Sequence, residues 1–235
     1  RGSVLNSDGE VEMDASMMCG KLLDAGAVSM VQEVKNPIRL ARLIMEKTHH
    51  VFMSGYGAKK LAELHQLEFK PKEYFITDYQ YQEFLRESNN KTVQQMFDEP
   101  SRGTVGAVAL DSFGNIAAAT STGGTGHCLP GRVGDSCIIG AGCYANNDSC
   151  AVSGTGEGEA LIANVVAHSI AMLVQLKQWP LQKACDYVIH ECNIQRREMG
   201  VIALNRNGEI SAAFNTEVMK RAWKASEQDL QVHLY

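Results

Sequence analysis

The stretch 102–124, RGTVGAVALDSFGNIAAATSTGG, constrains the fold more than any other part of the chain. Its core, VGAVAL, is a run of small and β-branched residues, which suits a strand buried on both faces. DSFGN is turn chemistry and IAAAT reads as a returning strand, so the stretch predicts a β-hairpin. Gly103-Thr104 stands at the head of that hairpin, behind the polar run RESNNKTVQQMFDEPSR. A loose segment of this kind inside a domain is ordinarily functional or released, and exposed segments tolerate cleavage. A cut before Thr104 would leave one residue with both a hydroxyl and a free α-amine, a nucleophile and a base together.

The segments on either side read as layers of strands and helices. GEVEMDASMMCGKLLDAGAVSMVQE predicts two adjacent strands around Gly20-Lys21, interrupted by Asp14 and Asp24, which read as turn-flanking or edge carboxylates or as groups lining a site. Asn36-Pro37 opens a helix with Ile38, Ala41, Ile44 and Met45 at helical spacing, ending near His49-His50. VFMSGYGAKKLAELHQL predicts a short strand and a second helix with His65 on its surface, and 74–87 a third, more polar helix. In 151–178 a strand passes through SGTGEGE into a helix whose stripe is Leu161, Ile162, Val165, Val166, Met172, Leu173 and Leu176, with His168 packed beside it. Residues 180–197 predict another helix opened by Pro180, and 200–215 a hairpin turning at Asn-Gly that could share a sheet with the first. Strands grouped apart from helices favour an α+β layered architecture.

Two glycine-rich loops carry the chemistry. In 125–150 the glycines surround Arg132 and Asp135, which either pair with each other as a loop-fixing salt bridge or face one small molecule together. A guanidinium suits a carboxylate and an aspartate an ammonium, so the second reading describes an amino acid. The SGTGEGE turn offers free N–H groups to a phosphate or an oxyanion, and the lysine of a phosphate loop is absent.

A net charge of −5 over 235 residues gives no general affinity for nucleic acid or anionic membranes. No apolar run approaches the roughly 18 residues of a membrane helix, so a cytoplasmic protein is the expectation. The seven cysteines show no C-x-x-C pair or accompanying histidine, which argues for reduced thiols rather than zinc.

GTVGAVALD, TSTGG, PGRVGDS, GAGCYANN, SGTGEGE and FNTEVMKRAW, in this order, closely resemble the plant-type L-asparaginase and isoaspartyl aminopeptidase family of N-terminal nucleophile hydrolases. The resemblance implies a four-layer αββα sandwich. It also implies self-cleavage between Gly103 and Thr104, giving an α chain that ends with residues 1–103 and a β chain of 104–235, together one domain. Thr104 would be the nucleophile, its α-amine the base, and Thr122 the residue that orients it. Thr155 and Gly156 would form the oxyanion hole. Arg132 would hold the substrate α-carboxylate and Asp135 its α-ammonium, with Gly158 beside them. Glu157 would tune substrate preference or stand as a solvated carboxylate.

The implied substrates are L-asparagine and β-aspartyl dipeptides, with no cofactor, and the implied assembly is a homo-oligomer of processed αβ units. Asp135 leans away from the endoprotease branch, and TSTGG from the glycosylasparaginase branch. Family members start with further residues that include a glycine-rich strand, a long helix and most of a sodium-binding loop, whereas Arg1-Gly2-Ser3 stands where that loop finishes. The expectation is therefore an enzyme lacking the first part of its α subunit and most of a structural sodium site. The alternatives are an inactive remnant that survives by association and a glycosylasparaginase-like enzyme.

Overall fold

The computed structural model describes residues 1–90, 102–226 and 228–235. Its first sheet contains β1 (Met13–Cys19), β2 (Asp24–Val31), β3 (Phe52–Ser54), β4 (Arg102–Leu110) and β5 (Ile116–Thr125), in the order β3-β2-β1-β5-β4. All neighbours are antiparallel except β2 and β3, which α1 (Pro37–Lys47) joins as a parallel crossover. The second sheet contains β6 (Cys143–Ala145), β7 (Cys150–Gly156), β8 (Met199–Asn205) and β9 (Ile210–Phe214), antiparallel and in chain order.

Helices cover each sheet from outside. On the first, α1 and α2 (Gly55–Leu64) bury Leu40, Ala41, Ile44, Ala58 and Ala62 against Ala15, Val28 and Val31. On the second, α5 (Gly158–Ala163), α6 (Val166–Lys177) and α7 (Leu181–Asp186) bury Leu161, Val166, Ile170 and Leu181 against Val152 and Val201. Between the sheets lie Met18, Ile116, Ala118, Cys143, Ala145 and Ala151. The result is the four-layer αββα sandwich, because each sheet has one apolar face for helices and another for its partner sheet. Two short helices, α3 (Lys72–Phe75) and α4 (Asp78–Asn90), replace the single helix expected over 74–87, and a small hairpin of β10 (Arg221–Trp223) and β11 (Gln231–His233) closes the chain.

Several expectations are corrected. The two hairpins lie in different sheets, β4-β5 in the first and β8-β9 in the second. β4 is an edge strand among the described residues, with Val105 71% exposed, so VGAVAL is not buried on both faces. Its small residues answer a different need, the close approach of β7: a Cβ at Gly106 would collide with the Ser153 hydroxyl. Gly158–Lys177 is long and apolar enough to cross a membrane, with mean hydropathy 1.5, contrary to the reading that no run comes near that length. Here it is broken in two. Asn164 Nδ2 donates to the Ala160 carbonyl, Val165 turns into the left-handed region at φ 48°, and the chain restarts as α6. The break leaves Val165 and Leu176 exposed instead of on the stripe, which is carried by Leu161, Val166, Ile170 and Ala171. Most of the loose polar run, 91–101, lies outside the described residues.

Candidate active site

β4, β5 and β1 are adjacent, and their register sets three residues in one transverse row: Thr104 pairs with Thr122, and Thr122 pairs with Asp14. Residues paired across antiparallel strands share a face, here the one turned to the second sheet. A shift in the β4 register between Arg102 and Thr104 turns the Gly103 carbonyl toward β5, where Thr122 Oγ1 donates to it at 2.7 Å. The Thr122 oxygen in turn accepts from Gly124 N at 3.2 Å, a bond that the left-handed Gly124, φ 91°, makes possible. The expectation was that Thr122 orients the Thr104 side chain; its bond is to the carbonyl of the peptide that precedes Thr104.

The loop 129–137 brings Arg132 and Asp135 to the same place. A Cβ on Gly158 would lie 2.7 Å from Arg132 Nη2 and 3.0 Å from Asp135 Oδ1, so only a glycine lets α5 start so close to both. The two do not pair with each other. Arg132 Nε and Nη2 donate to the two carboxylate oxygens of Glu159 at 2.9 and 3.0 Å, a planar fork. Asp135 sits in a three-residue 3-10 turn, Asp135–Cys137, 5% exposed, and its Oδ2 is buried with no hydrogen-bond partner among the described residues. Burial pushes its carboxyl up to about 7, opposed by its own backbone N–H and by Arg132, and reinforced by the charges of Asp14 and Glu159. A buried acid oxygen without a partner is satisfied either by the acid's own proton or by a cation brought to it.

Thr155 and Gly156 end β7, paired with Gly200 and Met199 of β8. Gly156 stands at φ 128°, where a side chain would strike the Glu198 carbonyl, so the glycine here is a steric requirement. Glu157 N donates to Glu198 O at 2.7 Å and fixes the strand-to-helix turn. Glu157 itself is half-buried and lies 3.3 Å from Arg197, an ion pair rather than a solvated carboxylate. A cavity of about 1120 Å³ opens at this end of the sandwich, lined by Thr125, Leu129, Arg132, Glu157, Glu159 and Arg197 among others.

The asparaginase family model matches residues 1–234. The chain belongs to the asparaginase family. It is 44% identical over 229 residues to the isoaspartyl peptidase of Escherichia coli (strain K12), covering 94% of this chain and 71% of that protein. It is 42% identical over 228 residues to the isoaspartyl peptidase/L-asparaginase of Homo sapiens, covering 96% and 73%. The corresponding Xenopus laevis protein is 40% identical over 237 residues, covering 99% and 74%. Membership gives the N-terminal nucleophile hydrolase type to the sandwich described above.

One residue of the candidate site, Glu159, carries no sequence signal that spacing would find, and a second, Asp14, fits the site-lining alternative read from the sequence. Glu159 meets Arg132 from 27 positions away. Asp14 is neither turn-flanking nor at an edge: it is 3% exposed, in the middle of the first sheet. Its one sequence sign was position, an acid at an inward-facing place in an apolar strand. Among the described residues no group of three or more His, Cys, Asp or Glu is placed to hold a metal. Where the sodium loop would finish, the N–H groups of Gly2 and Ser3 both donate to Phe75 O. His168 is packed edge-to-face on Tyr144, as read from the helix pattern.

Proposed function

We propose that the protein cuts itself between Gly103 and Thr104 and then hydrolyses L-asparagine and β-aspartyl dipeptides through Thr104. The observation that carries this reading is the hydrogen bond from Thr122 Oγ1 to the Gly103 carbonyl at 2.7 Å. A hydroxyl donated to the carbonyl of the peptide bond that must break polarises it and stabilises the oxyanion that forms there. Attack by Thr104 Oγ on that carbonyl carbon moves the acyl group from nitrogen to oxygen, with the hydroxyl proton passing to the leaving nitrogen. That shift frees the Thr104 α-amine, and water then hydrolyses the ester, releasing the Gly103 carboxylate and regenerating the Thr104 hydroxyl. That amine, with an ordinary pKa of roughly 7.7–8.0, serves as the base that the hydroxyl lacked. A threonine served by its own α-amine is one of the convergent counterparts of the serine-histidine-aspartate triad.

In turnover the substrate α-carboxylate meets Arg132 and its α-ammonium meets Asp135, which presents the β-carbonyl to Thr104. Thr104 Oγ forms the β-aspartyl ester, the amide nitrogen leaves with a proton as ammonia or an amino acid, and water releases aspartate. Thr155 and the Gly156 N–H stand as the oxyanion donors, and Gly158 as the backbone that admits both substrate-binding charges. The relatives named for isoaspartyl peptidase and L-asparaginase activity support the same pair of substrates. The proposal extends to α and β chains meeting at Gly103-Thr104, to pairing of processed units into a homo-oligomer, and to a cytoplasmic setting, which seven free thiols support.

Intact mass spectrometry after incubation at neutral pH tests the reading, with Thr104→Ala as control. Wild type is expected to give a fragment beginning at Thr104 and the variant to stay whole. Folded wild type that also stays whole overturns the self-cleavage.

A further inference from the structure

Asp14 lies where three parts of the site meet. The β1-β2 register shifts between Met13 and Ala15, so β2 bulges opposite Asp14. The bulge puts Met30 in the left-handed region, φ 55°, and takes its N–H out of the strand ladder. Asp14 Oδ1 accepts that N–H at 3.1 Å. Asp14 Oδ2 accepts the N–H of Gly134 at 3.0 Å, a buried bond in the middle of the segment between Arg132 and Asp135. Its backbone carbonyl accepts from Ser121 Oγ at 3.3 Å, tying it to β5 beside Thr122. One carboxylate therefore joins the substrate-binding loop to the sheet, in the same transverse row as Thr122 and Thr104. Two strand spacings put it about 10 Å from Thr104.

We propose that Asp14 is the positioning residue that sets the Arg132–Asp135 loop against the Thr104–Thr122 row, and so fixes where a substrate's α-carboxylate and α-ammonium sit relative to the nucleophile. This rests on the function proposed above. A second tie joins the loop to the first sheet at this level: Ser16 Oγ donates to Ser136 O at 2.6 Å, one residue beyond Asp135. A third tie holds the other side of Arg132, where the Gly131 N–H donates to Glu12 Oε2 at 3.0 Å. Between those two ties the Gly134 bond is the one that fixes the stretch joining Arg132 to Asp135.

Asp14→Asn is the discriminating variant. Both carboxylate oxygens accept N–H groups, and an amide has one oxygen to offer, so one anchoring bond is lost and an N–H meets an N–H. Loss of a hydrogen bond to a charged group predicts a rise of about 10-fold or more in KM for L-asparagine, with kcat changed less than about 3-fold. A second readout separates positioning from general loss of structure. The charges facing Asp135 are Arg132, Asp14 and Glu159, with the Cys137 thiol beside them, and Asp14 disfavours its ionisation. Removing that charge lowers the pH below which L-aspartate binding to the Thr104→Ala chain weakens, a readout free of the Thr104 α-amine, whose own protonation governs the acid limb of kcat/KM. Asp14→Glu keeps the charge and displaces the oxygens, so it raises KM and leaves that binding pH in place.

An unchanged KM in Asp14→Asn, or a defect confined to kcat, overturns the proposal. If Asp14→Asn is insoluble, Asp14→Glu decides it by the same KM comparison. If wild type neither cuts itself nor turns over, the functional reading has failed, and calorimetric titration of L-aspartate into the Thr104→Ala chain decides the role of Asp14. There Asp14→Asn must weaken binding about 10-fold; equal binding, or none in either chain, overturns the proposal.

Discussion

Asp135 is the residue whose chemistry is most visible at the scale of one side chain. Its carboxyl is pushed from an ordinary 3.8 up to about 7 chiefly by burial. Between about pH 4 and 7 the folded protein therefore holds a proton that the unfolded chain has lost, so this group's contribution to stability falls as pH rises through that window. Above pH 7 the buried charge is fully present, at a cost of a few kcal/mol before any screening. A bound α-ammonium reverses the balance by favouring the ionised form. Asp135→Asn should accordingly be more stable than wild type at pH 8, with the two converging near pH 4. Thermal melts across pH 4–8 check this, and parallel curves for the two proteins would falsify the assignment of an uncompensated buried carboxyl.

At the scale of the element, the interesting defect is the join between α5 and α6. Val165 is β-branched and stands at φ 48°, a region that costs an ordinary L-residue about 1–2 kcal/mol and a β-branched one more. It is 45% exposed, so little burial holds it there. Asparagine tolerates the left-handed region, and Val165→Asn should raise stability by about 1 kcal/mol. Urea denaturation with an unchanged m-value checks it, and a loss of stability would mean that Val165 packs more tightly than its exposure indicates. The same join shows the limit of the sequence as a guide. A 3.6-residue stripe from Leu161 to Leu176 is real in composition, but a stripe does not record where a side-chain amide ends one helix and starts another. The glycines of PGRVGDS and SGTGEGE were legible as loops that present charge, because their motif order is specific. What those charges touch was not, since Asp14, Gly134, Arg132 and Glu159 meet only after the sheets have stacked. The small residues of β4 likewise suggest two-sided burial in sequence, whereas in the fold they mark a close approach on one side.

That close approach belongs to the whole molecule. The two sheets meet over Gly106, Ser153, Thr120 and Gly142, where Thr120 Oγ1 lies 2.7 Å from Ser153 Oγ and donates to Gly142 O at 2.8 Å. Thr120 and Ser153 are 1% and 3% exposed, so neither hydroxyl can turn to water. A Cβ at Gly106 would strike Ser153 Oγ and come within 2.9 Å of Ser153 Cβ. The layers must then separate, or Ser153 must abandon its partner, and overpacking of this kind costs about 1–3 kcal/mol. Because Thr104 is two residues from Gly106 on the same strand and face, separation also carries the nucleophile away from Thr155 on β7. Gly106→Ala should therefore lose stability and cut itself more slowly. Ser153→Gly removes both colliding atoms and leaves Thr120 its bond to Gly142, so the double variant should regain much of the loss. A double-mutant cycle by urea denaturation should give a coupling of about 1 kcal/mol or more between the two sites. Strictly additive effects would mean that the sheets yield at this point, and that their spacing is set by the apolar cluster of Met18, Ile116 and Ala151 instead.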